Sequence, residues 1–305
     1  MGGALLERVA RFRLFGRSPL GAWLRINESI WAHISPWAPV LHPVESYGRF
    51  LHSLVLARAD RHMYLGTFFF RNRAELHLIA RLSRLREKAS RPVRIAVVGC
   101  SDGAEVYSIV YSLCAADAAP SFLCQGVDIS ADAVAAARAG VYSRAVSGLT
   151  LEPALARMTP AEMKGMFDGD GDHVRVKARF RENVAWHVGD AADPQLARLL
   201  GPQDIVVANR FLCHLPPTFA EQCLRAVARL VAPGGYLFVS GVDLDVRTRV
   251  ARALGWKPVC DSIEEVHEGD VSLRSSWPLK YWGLEPIDKS RADWSLRYAS
   301  AFQLP

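Results

Sequence analysis

Residues 94–108 read RIAVVGCSDGAEVYS, an apolar run that leads into a glycine-containing loop and then into a pattern with helical spacing. The apolar run predicts a buried strand over 94–98, and the apolar residues after the loop predict a helix that faces a sheet. Such a loop brings backbone N–H groups and a helix N-terminus to the carboxyl edge of the sheet. It predicts a binding site for a nucleotide-like ligand.

Strand and helix patterns alternate along the rest of the chain. This alternation is typical of a parallel sheet with helices on both faces, so we predict an α/β fold with a Rossmann-like sheet. Pro233, Gly234 and Gly235 are expected to stop a helix and start a strand. The predicted strands are 94–98, 122–127, 184–188, 204–208, 236–240 and 294–302, and the predicted helices include 131–139, 218–231 and 245–254.

The first 90 residues differ from the rest in pattern and in charge. They show helical spacing without a convincing strand, so we predict an N-terminal all-α module over 1–90 and a second domain over 91–305. An insertion at about 143–182 is expected to form a small β unit. Residues 1–90 hold 14 Lys and Arg against 6 Asp and Glu. This basic module fits an acidic protein surface, nucleic acid or a solvated helical face, and the charge alone leaves these open.

The composition indicates a globular protein with a full core, since the chain has 305 residues and half of them are hydrophobic. Its first residues lack the apolar stretch of a signal peptide. The six cysteines are scattered and never paired as CxxC, so we expect reduced thiols and a cytoplasmic location. No run of 18 or more apolar residues occurs, so no membrane partner is predicted. His173, His187 and His267 have no Cys or acid at metal-ligand spacing, so no metal is predicted.

Two acids stand where predicted strands end. Asp128 lies 25 residues after Gly103, where a carboxylate accepts hydrogen bonds from both ribose hydroxyls of a nucleoside. Asp190 ends a later strand, where it can hold an adenine amine. The glycine loop lacks the GxGxxG pattern of dehydrogenases. The strand ends together predict an adenosine-containing ligand.

Several motifs, in order and at fitting spacings over residues 60–240, resemble those of one family. GCSDGAEVYS (99–108) is similar to GCSTGEEPYS, GTFFFRN (66–72) to TxFFR, and GVDISADAVAAARAGVYS (126–143) to a segment that begins ATDID and ends ARxGxY. Residues 158–187 also resemble that family's small β-subdomain. The chain is identified on this basis as a divergent member of the CheR-type S-adenosylmethionine-dependent methyltransferases. The resemblance implies a class I methyltransferase fold, S-adenosylmethionine as cofactor and S-adenosylhomocysteine as product.

The resemblance also implies roles for individual residues. Thr67 and Arg71 hold the methionyl part of the cofactor, and Glu105 meets its amino group or ribose side. Asp128 takes the ribose hydroxyls, or else needs another partner for a buried carboxylate. The rest of the implied cofactor site comprises Gly99, Ser101, Gly103, Ile129, Asp190 and Ala191 around the adenosine, and Asn209 and Arg210 on the sulfonium side. Alternatively, Asp190 is the N-cap of a helix over 193–200.

The chain departs from the family pattern at three places. CRNVMIYF becomes ANRFLCHL (208–215), which puts His214 where a pocket tyrosine is expected. His214 can orient the substrate, act as a base, or serve only the start of a helix. The turn at 168–172 is short, which argues against tethering to chemoreceptors. Trp277, Trp282 and Trp294 form an apolar lid over a small acid or else pack in the core.

We therefore expect an O-methyltransferase that acts on a carboxylate, with Arg71 and His214 as its catalytic residues. The acceptor is a small-molecule acid or else a protein glutamate, and the departures favour the small acid. Two alternatives stay open. One is a hydroxyl or amine methyltransferase with His214 as base, and the other is a non-catalytic sensor that binds the cofactor or its demethylated product. No nucleic-acid partner is predicted, since ANRF replaces an NPPY-like tetrapeptide, and the sequence leaves the oligomeric state undetermined.

Overall fold

A seven-stranded sheet forms the centre of the structure, a computed structural model that describes residues 19–33, 42–56, 66–87, 91–115, 120–145, 153–169, 171–270 and 285–305. The strands, in chain order, are β1 Val93–Val98, β2 Phe122–Asp128, β3 Val141–Ser143, β4 Phe167–Asp168, β5 His173–Val176, β6 Val184–Val188, β7 Gln203–Asn209, β8 Val231–Ser240, β9 Lys257–Pro258 and β10 Ala301–Gln303. The central sheet has the order β6-β2-β1-β7-β8-β10-β9. Neighbouring strands from β6 to β8 are parallel, and β10 is antiparallel to both β8 and β9.

Helices cover both faces of this sheet. The helices of the described residues, in chain order, are α1 Pro19–Ala32, α2 His42–Leu56, α3 Arg73–Arg86, α4 Ala104–Cys114, α5 Ala131–Ala139, α6 Pro160–Met166, α7 Gln195–Leu200, α8 Pro217–Ala228, α9 Leu244–Ala253, α10 Ile263–Glu268 and α11 Trp294–Tyr298. Alternate residues of β1 point to opposite faces. Ile95 and Val97 join the core formed with α3 and α4, whereas Ala96 and Val98 join the core formed with α8 and α9. The predicted α/β fold is confirmed.

The predicted insertion forms a separate three-stranded antiparallel sheet in the order β3-β5-β4. Its helix α6 begins with a capping box between Thr159 and Glu162. The unit packs on the main core through aromatic rings, because the ring of Phe69 lies 4.8 Å from that of Tyr142 and 5.2 Å from that of Phe167. This contact joins the small sheet to the segment that carries the TFFFR motif.

The N-terminal helices do not all share one environment. α1 and α2 pack around the buried side chain of Leu51, together with Trp23, Leu24 and Val44. α3 instead buries Leu76, Ile79 and Leu82 in the core on the sheet. The division of the chain at residue 90 stays a prediction. Within the described residues, no helix is both long enough and apolar enough to span a membrane.

Two predicted boundaries were wrong. The helix expected to end at residue 231 ends at Ala228, and Pro233-Gly234-Gly235 lies inside β8. These residues form a bulge, because Val231 pairs with Gln203 whereas Tyr236 pairs with Ile205. The backbone of Gly234 and Gly235 exchanges hydrogen bonds with Leu304 in the bulge.

The predicted closing strand over 294–302 is a helix followed by a short strand. α11 ends at Tyr298 and β10 begins at Ala301. Trp294 and Tyr298, four residues apart, both pack in the core next to α9. Residues four apart lie on the same side both in a helix and in an extended strand. The spacing of these two rings therefore does not distinguish the two structures, and the prediction of a strand was wrong.

Candidate active site

An open cavity lies where β1, β2, β6 and β7 end. This is the edge of a parallel α/β sheet at which ligands bind. The cavity is lined by Gly66, Thr67, Arg71, Val98, Gly99, Ser101, Glu105, Asp128, Ile129, Gly189, Asp190, Ala191, Asn209, Arg210, Phe211, His214 and Leu215. Every site residue predicted from the sequence is in this set except Gly103.

The carboxylate of Asp128 is held rigidly at the end of β2. Its Oδ2 accepts a hydrogen bond of 2.8 Å from the N–H of Ser101, and its Oδ1 accepts one of 2.9 Å from the N–H of Ser130. The residue is only 7% exposed. Each carboxylate oxygen has a second lone pair, so the group can also accept hydrogen bonds from two hydroxyls in the cavity.

The two loop glycines have different neighbours. Gly99 has φ +75°, and a Cβ there would lie 2.8 Å from the ring of Phe211, a cavity residue. Gly103 has φ +88°, and a Cβ there would lie 2.6 Å from the ring of Trp186. Gly103 therefore lets α4 approach Trp186 on β6, and its predicted contact with the cofactor stays a prediction.

Asp190 does not cap the helix that follows it. Its Oδ1 accepts a hydrogen bond of 2.9 Å from the N–H of Ala192, which closes a turn, and α7 begins only at Gln195, after Pro194. The turn leaves Asp190 and Ala191 on the cavity wall. The capping alternative is therefore wrong.

Asn209, the last residue of β7, joins the buried carboxyl group of Glu75 to the partly buried carboxyl group of Glu105. Its Nδ2 donates to Oε1 of Glu105 at 2.8 Å and to Oε1 of Glu75 at 2.6 Å. Its Oδ1 accepts from the N–H and the hydroxyl of Ser240 on β8. Burial raises the pKa of Glu75 to about 8, the charge of Glu105 adds to this rise, and the hydrogen bond from Asn209 opposes it. Burial also raises the pKa of Glu105.

Three arginines surround Asp270 beside the cavity. We call Arg71, Arg157, Arg210 and Asp270 the arginine cluster. Asp270 lies 2.8 Å from Arg157, 3.4 Å from Arg210 and 3.6 Å from Arg71, measured between carboxylate oxygens and guanidinium nitrogens. Arg71 and Arg210 line the cavity, whereas Arg157 is not among its lining residues. The charges of Arg71 and Arg210 also act on the carboxyl groups of Glu75 and Glu105, where they oppose the rise in pKa that burial causes.

The chain turns sharply after β7, and the turn exposes His214. Arg210 adopts φ +66°, with its N–H bonded to the carbonyl of Ser240 at 3.0 Å. A short 3₁₀ turn over Leu212–His214 follows. It places His214 on the cavity wall beside Phe211. These two are the ring-bearing side chains among the described residues of the wall.

A model of the family described as "CheR methyltransferase, SAM binding domain" matches residues 66–246. These residues span the TFFFR segment, the glycine loop and the sheet through the start of α9, which is the part of the chain that builds the cavity. The chain belongs to the CheR methyltransferase family. Its matched region is an S-adenosylmethionine-binding domain, as the sequence resemblance implied.

Named relatives agree with this assignment. The CheR chain is 33% identical over 221 residues to the "Probable biofilm formation methyltransferase WspC" of Pseudomonas putida. The aligned residues are 70% of this chain and 49% of that protein. It is 28% identical to the "Chemotaxis protein methyltransferase" of Vibrio parahaemolyticus over 50% of this chain and 54% of that one. The chain thus spans about half the length of these relatives. The magnesium protoporphyrin IX methyltransferase of Synechocystis PCC 6803 aligns over 61% of this chain and 70% of its own, at 16% identity and a TM-score of 0.36.

The CheR site also contains residues that the sequence did not single out. Glu75 looks like one polar residue of an amphipathic helix, and only the fold brings it to Asn209. Asp270 lies two residues after the end of α10, beyond the family-matched residues. Trp277 and Trp282 lie outside the described residues, whereas Trp294 packs in the core. No group of three or more metal-ligating side chains occurs among the residues with described positions.

Proposed function

We propose that this CheR protein transfers a methyl group from S-adenosylmethionine to the side-chain carboxylate of a protein glutamate. The observation that carries the proposal is the pair of guanidiniums, Arg71 and Arg210, that line the same cavity as the carboxylate of Asp128. Asp128 fits a ligand that offers hydroxyl donors, and the guanidiniums fit an anion. The same cavity thus contains a carboxylate that accepts hydrogen bonds and guanidiniums that can bind an anion.

In this proposal residues at the ends of β2 and β6 would hold the adenosine. Asp128 would accept hydrogen bonds from the ribose hydroxyls, and Asp190 with Ala191 would contact the adenine. Ser101 supports Asp128 through its N–H, and Gly99 and Ile129 form the floor beside it. The two carboxylates only accept hydrogen bonds, and the ribose and adenine amine offer donors to them.

The methionyl end of the cofactor lies toward Glu105, Thr67 and Arg71. Glu105 and Asn209 form one hydrogen-bonded unit at 2.8 Å, so a cationic ammonium or sulfonium near them meets a carboxyl group held in place. Thr67 is buried on the same wall. When bound, the cofactor supplies an electrophilic methyl group on a positively charged sulfur.

Methyl transfer is an in-line displacement, in which a carboxylate oxygen forms a bond to the methyl carbon as the carbon–sulfur bond breaks. A glutamate with a pKa of about 4.3 is already ionised at neutral pH, so no group need remove a proton. The task left for Arg71 and Arg210 is to hold the carboxylate in line with the carbon–sulfur bond. His214 then contributes to the shape of the acceptor side.

The names of the relatives favour a protein acceptor over the small acid that the sequence favours. One relative is called a chemotaxis protein methyltransferase and another a biofilm formation methyltransferase. The described wall also offers little support for an aromatic lid, because its rings are those of Phe211 and His214. The proposal keeps the expected cytoplasmic location, since the described cysteines are unpaired thiols.

The test uses S-adenosylmethionine labelled in its methyl group. Methyl esters hydrolyse in mild base to volatile methanol, whereas methyl ethers and methylamines do not. The acceptors are the cytoplasmic domain of a chemoreceptor and a panel of small carboxylic acids. We expect base-labile label on the protein and loss of transfer in Arg71→Ala. Base-stable label, label on small acids alone, or cofactor binding without any turnover would each contradict the proposal.

A further inference from the structure

The carboxylate of Asp270 is the centre of the arginine cluster and is almost completely buried, with 3% of its surface exposed. Its Oδ1 accepts a hydrogen bond of 2.8 Å from Arg157, and its Oδ2 lies 3.4 Å from Arg210 and 3.6 Å from Arg71. Three like charges within 4 Å of one point repel each other strongly where water is excluded. The carboxylate offsets that repulsion and lets two guanidiniums share one cavity wall.

The position of Asp270 is fixed against the TFFFR segment by a second contact. Asn72 donates from Nδ2 to the carbonyl of Val266 in α10 at 2.7 Å, while its Oδ1 accepts from the N–H of Glu75 at 3.2 Å. A Cβ at Gly269 would overlap Oδ1 of Asn72, so the absence of a side chain at this position permits the approach. α10 therefore docks directly beside Arg71.

The two cavity arginines come from separate parts of the chain. Arg71 follows the TFFF residues before α3, and Arg210 follows β7. Arg71 also donates to the carbonyl of Gly66 at 3.0 Å and stacks on the ring of Phe68 at 4.8 Å. Phe68 is shared with Arg157, whose guanidinium lies 4.3 Å from the same ring. Asp270 contacts all three arginines and links the two segments that carry the cavity pair.

We propose that Asp270 is a positioning residue that holds Arg71 and Arg210 in the orientation that aligns the acceptor carboxylate. The segment that contains α10 and Asp270 thereby forms part of the active site, although it lies outside the family-matched residues. This inference rests on the proposed function. Asp270 acts through the arginines and does not itself touch the acceptor.

The test compares Asp270→Asn with wild-type protein in the transfer assay, with the chemoreceptor cytoplasmic domain as acceptor. We expect kcat to fall about tenfold or more, because misaligned groups lose the advantage of orientation. KM for the acceptor should stay equal or decrease, since the guanidiniums are then less neutralised. Cofactor stoichiometry, measured by calorimetry, should remain one per chain. Asp270→Glu should restore part of kcat.

Asp261→Asn is the matched control, because Asp261 is exposed and pairs with Arg81 at 2.9 Å on the surface near α10. It should leave kcat, KM and the melting temperature unchanged. Wild-type kcat in folded Asp270→Asn would overturn the inference. A loss of kcat in folded Asp270→Asn that Asp270→Glu does not restore in any part would also overturn it.

If Asp270→Asn does not fold, the double variant Asp270→Asn/Arg157→Gln removes one charge of each sign and keeps both cavity arginines. A reduced kcat in this variant supports the inference, and wild-type kcat overturns it. The proposed function fails separately, when the wild-type protein itself releases no base-labile label. Transfer by wild type with equal transfer by the Asp270 variants refutes only the positioning role.

Discussion

The side-chain amide of Asn209 lies 2.8 Å from Oε1 of Glu105 and donates a hydrogen bond to it. The same nitrogen also donates to Glu75, and the amide oxygen accepts from Ser240 on the neighbouring strand. One residue at the end of β7 thus fixes a cavity carboxylate to the sheet. This contact explains how Glu105 can face the cavity in a single orientation while it is largely buried.

Asn209→Ala removes donors and acceptors from groups that stay buried. We expect the free energy of unfolding to fall by about 2–3 kcal/mol, the usual cost of leaving buried polar groups without partners. The dissociation constant for S-adenosylmethionine should rise, because Glu105 loses its orientation. Urea denaturation and calorimetry measure the two effects. Asn183 is exposed, so Asn183→Ala is the control. If Asn209→Ala has the same stability and the same dissociation constant as this control, Asn209 does not hold Glu105 in place.

Glu75 should make the ligand-free protein less stable as the pH rises. Its pKa rises from 4.5 to about 8 in the folded protein, chiefly because of burial. Between these values the folded protein keeps a proton that the unfolded chain releases, so stability is lost over this window with increasing pH. Glu75→Gln should flatten the dependence of the melting temperature on pH from about 5 to 8.5. The exposed Glu182→Gln is the control, and an unchanged slope in Glu75→Gln would refute the explanation.

Asp204 has the opposite dependence on pH. Burial alone would raise its pKa, but hydrogen bonds from Arg91, Arg94 and Arg86, together with the charge of Arg91, outweigh burial and lower the pKa from 3.8 to about 2. The stability it contributes is present above pH 3.8 and is lost as the pH falls toward 2.

Asp204→Asn should therefore cost about 1.5–3 kcal/mol of unfolding free energy at pH 7, because it weakens the hydrogen bonds that the buried carboxylate accepts from the arginines. The cost should shrink in acid. Denaturation at pH 7 and at about pH 3 measures it. The exposed Asp168→Asn should change neither value, and equal stability of the two variants would rule out the buried ion pair.

His214→Phe tests whether the acceptor needs a base. A carboxylate acceptor predicts a loss of less than about fivefold in kcat/KM, with the same pH profile in variant and wild type. A hydroxyl or amine acceptor predicts a loss of about 100-fold or more and a profile without the imidazole titration. Initial rates from pH 6 to 9 decide between these results, with the exposed His173→Phe as the control. The larger loss would contradict the carboxylate mechanism.

Local patterns predicted much of the sheet and of the site. The strand at 94–98, the helix at 131–139 and the strand at 184–188 follow from periodicity and end signals that act over a few residues. Asp128 and Asp190 were placed correctly at the cavity because they directly follow strands whose carboxyl ends meet at one edge. The resemblance supplied Thr67 and Arg71, which lie before α3 and carry no strand signal.

Features that depend on distant contacts were not predictable from the sequence. Pro233 to Gly235 are residue types that usually end a helix, yet backbone hydrogen bonds to Leu304 hold them in a bulge of β8. Glu75 has the spacing of an exposed helical residue, and the position of Asn209 makes it part of a buried pair. Asp270 carries no motif, and it enters the site only because α10 docks on Asn72.

The most direct test of the central claim is to identify the methylated atom in the product. The protein is incubated with the chemoreceptor cytoplasmic domain and S-adenosylmethionine that carries a deuterated methyl group, and the acceptor is mapped by tandem mass spectrometry. The account predicts the label on glutamate side-chain carboxyl groups, with none in the Arg71→Ala reaction. Label on hydroxyl or amine groups, or an unlabelled acceptor beside small acids that do become methylated, would contradict it.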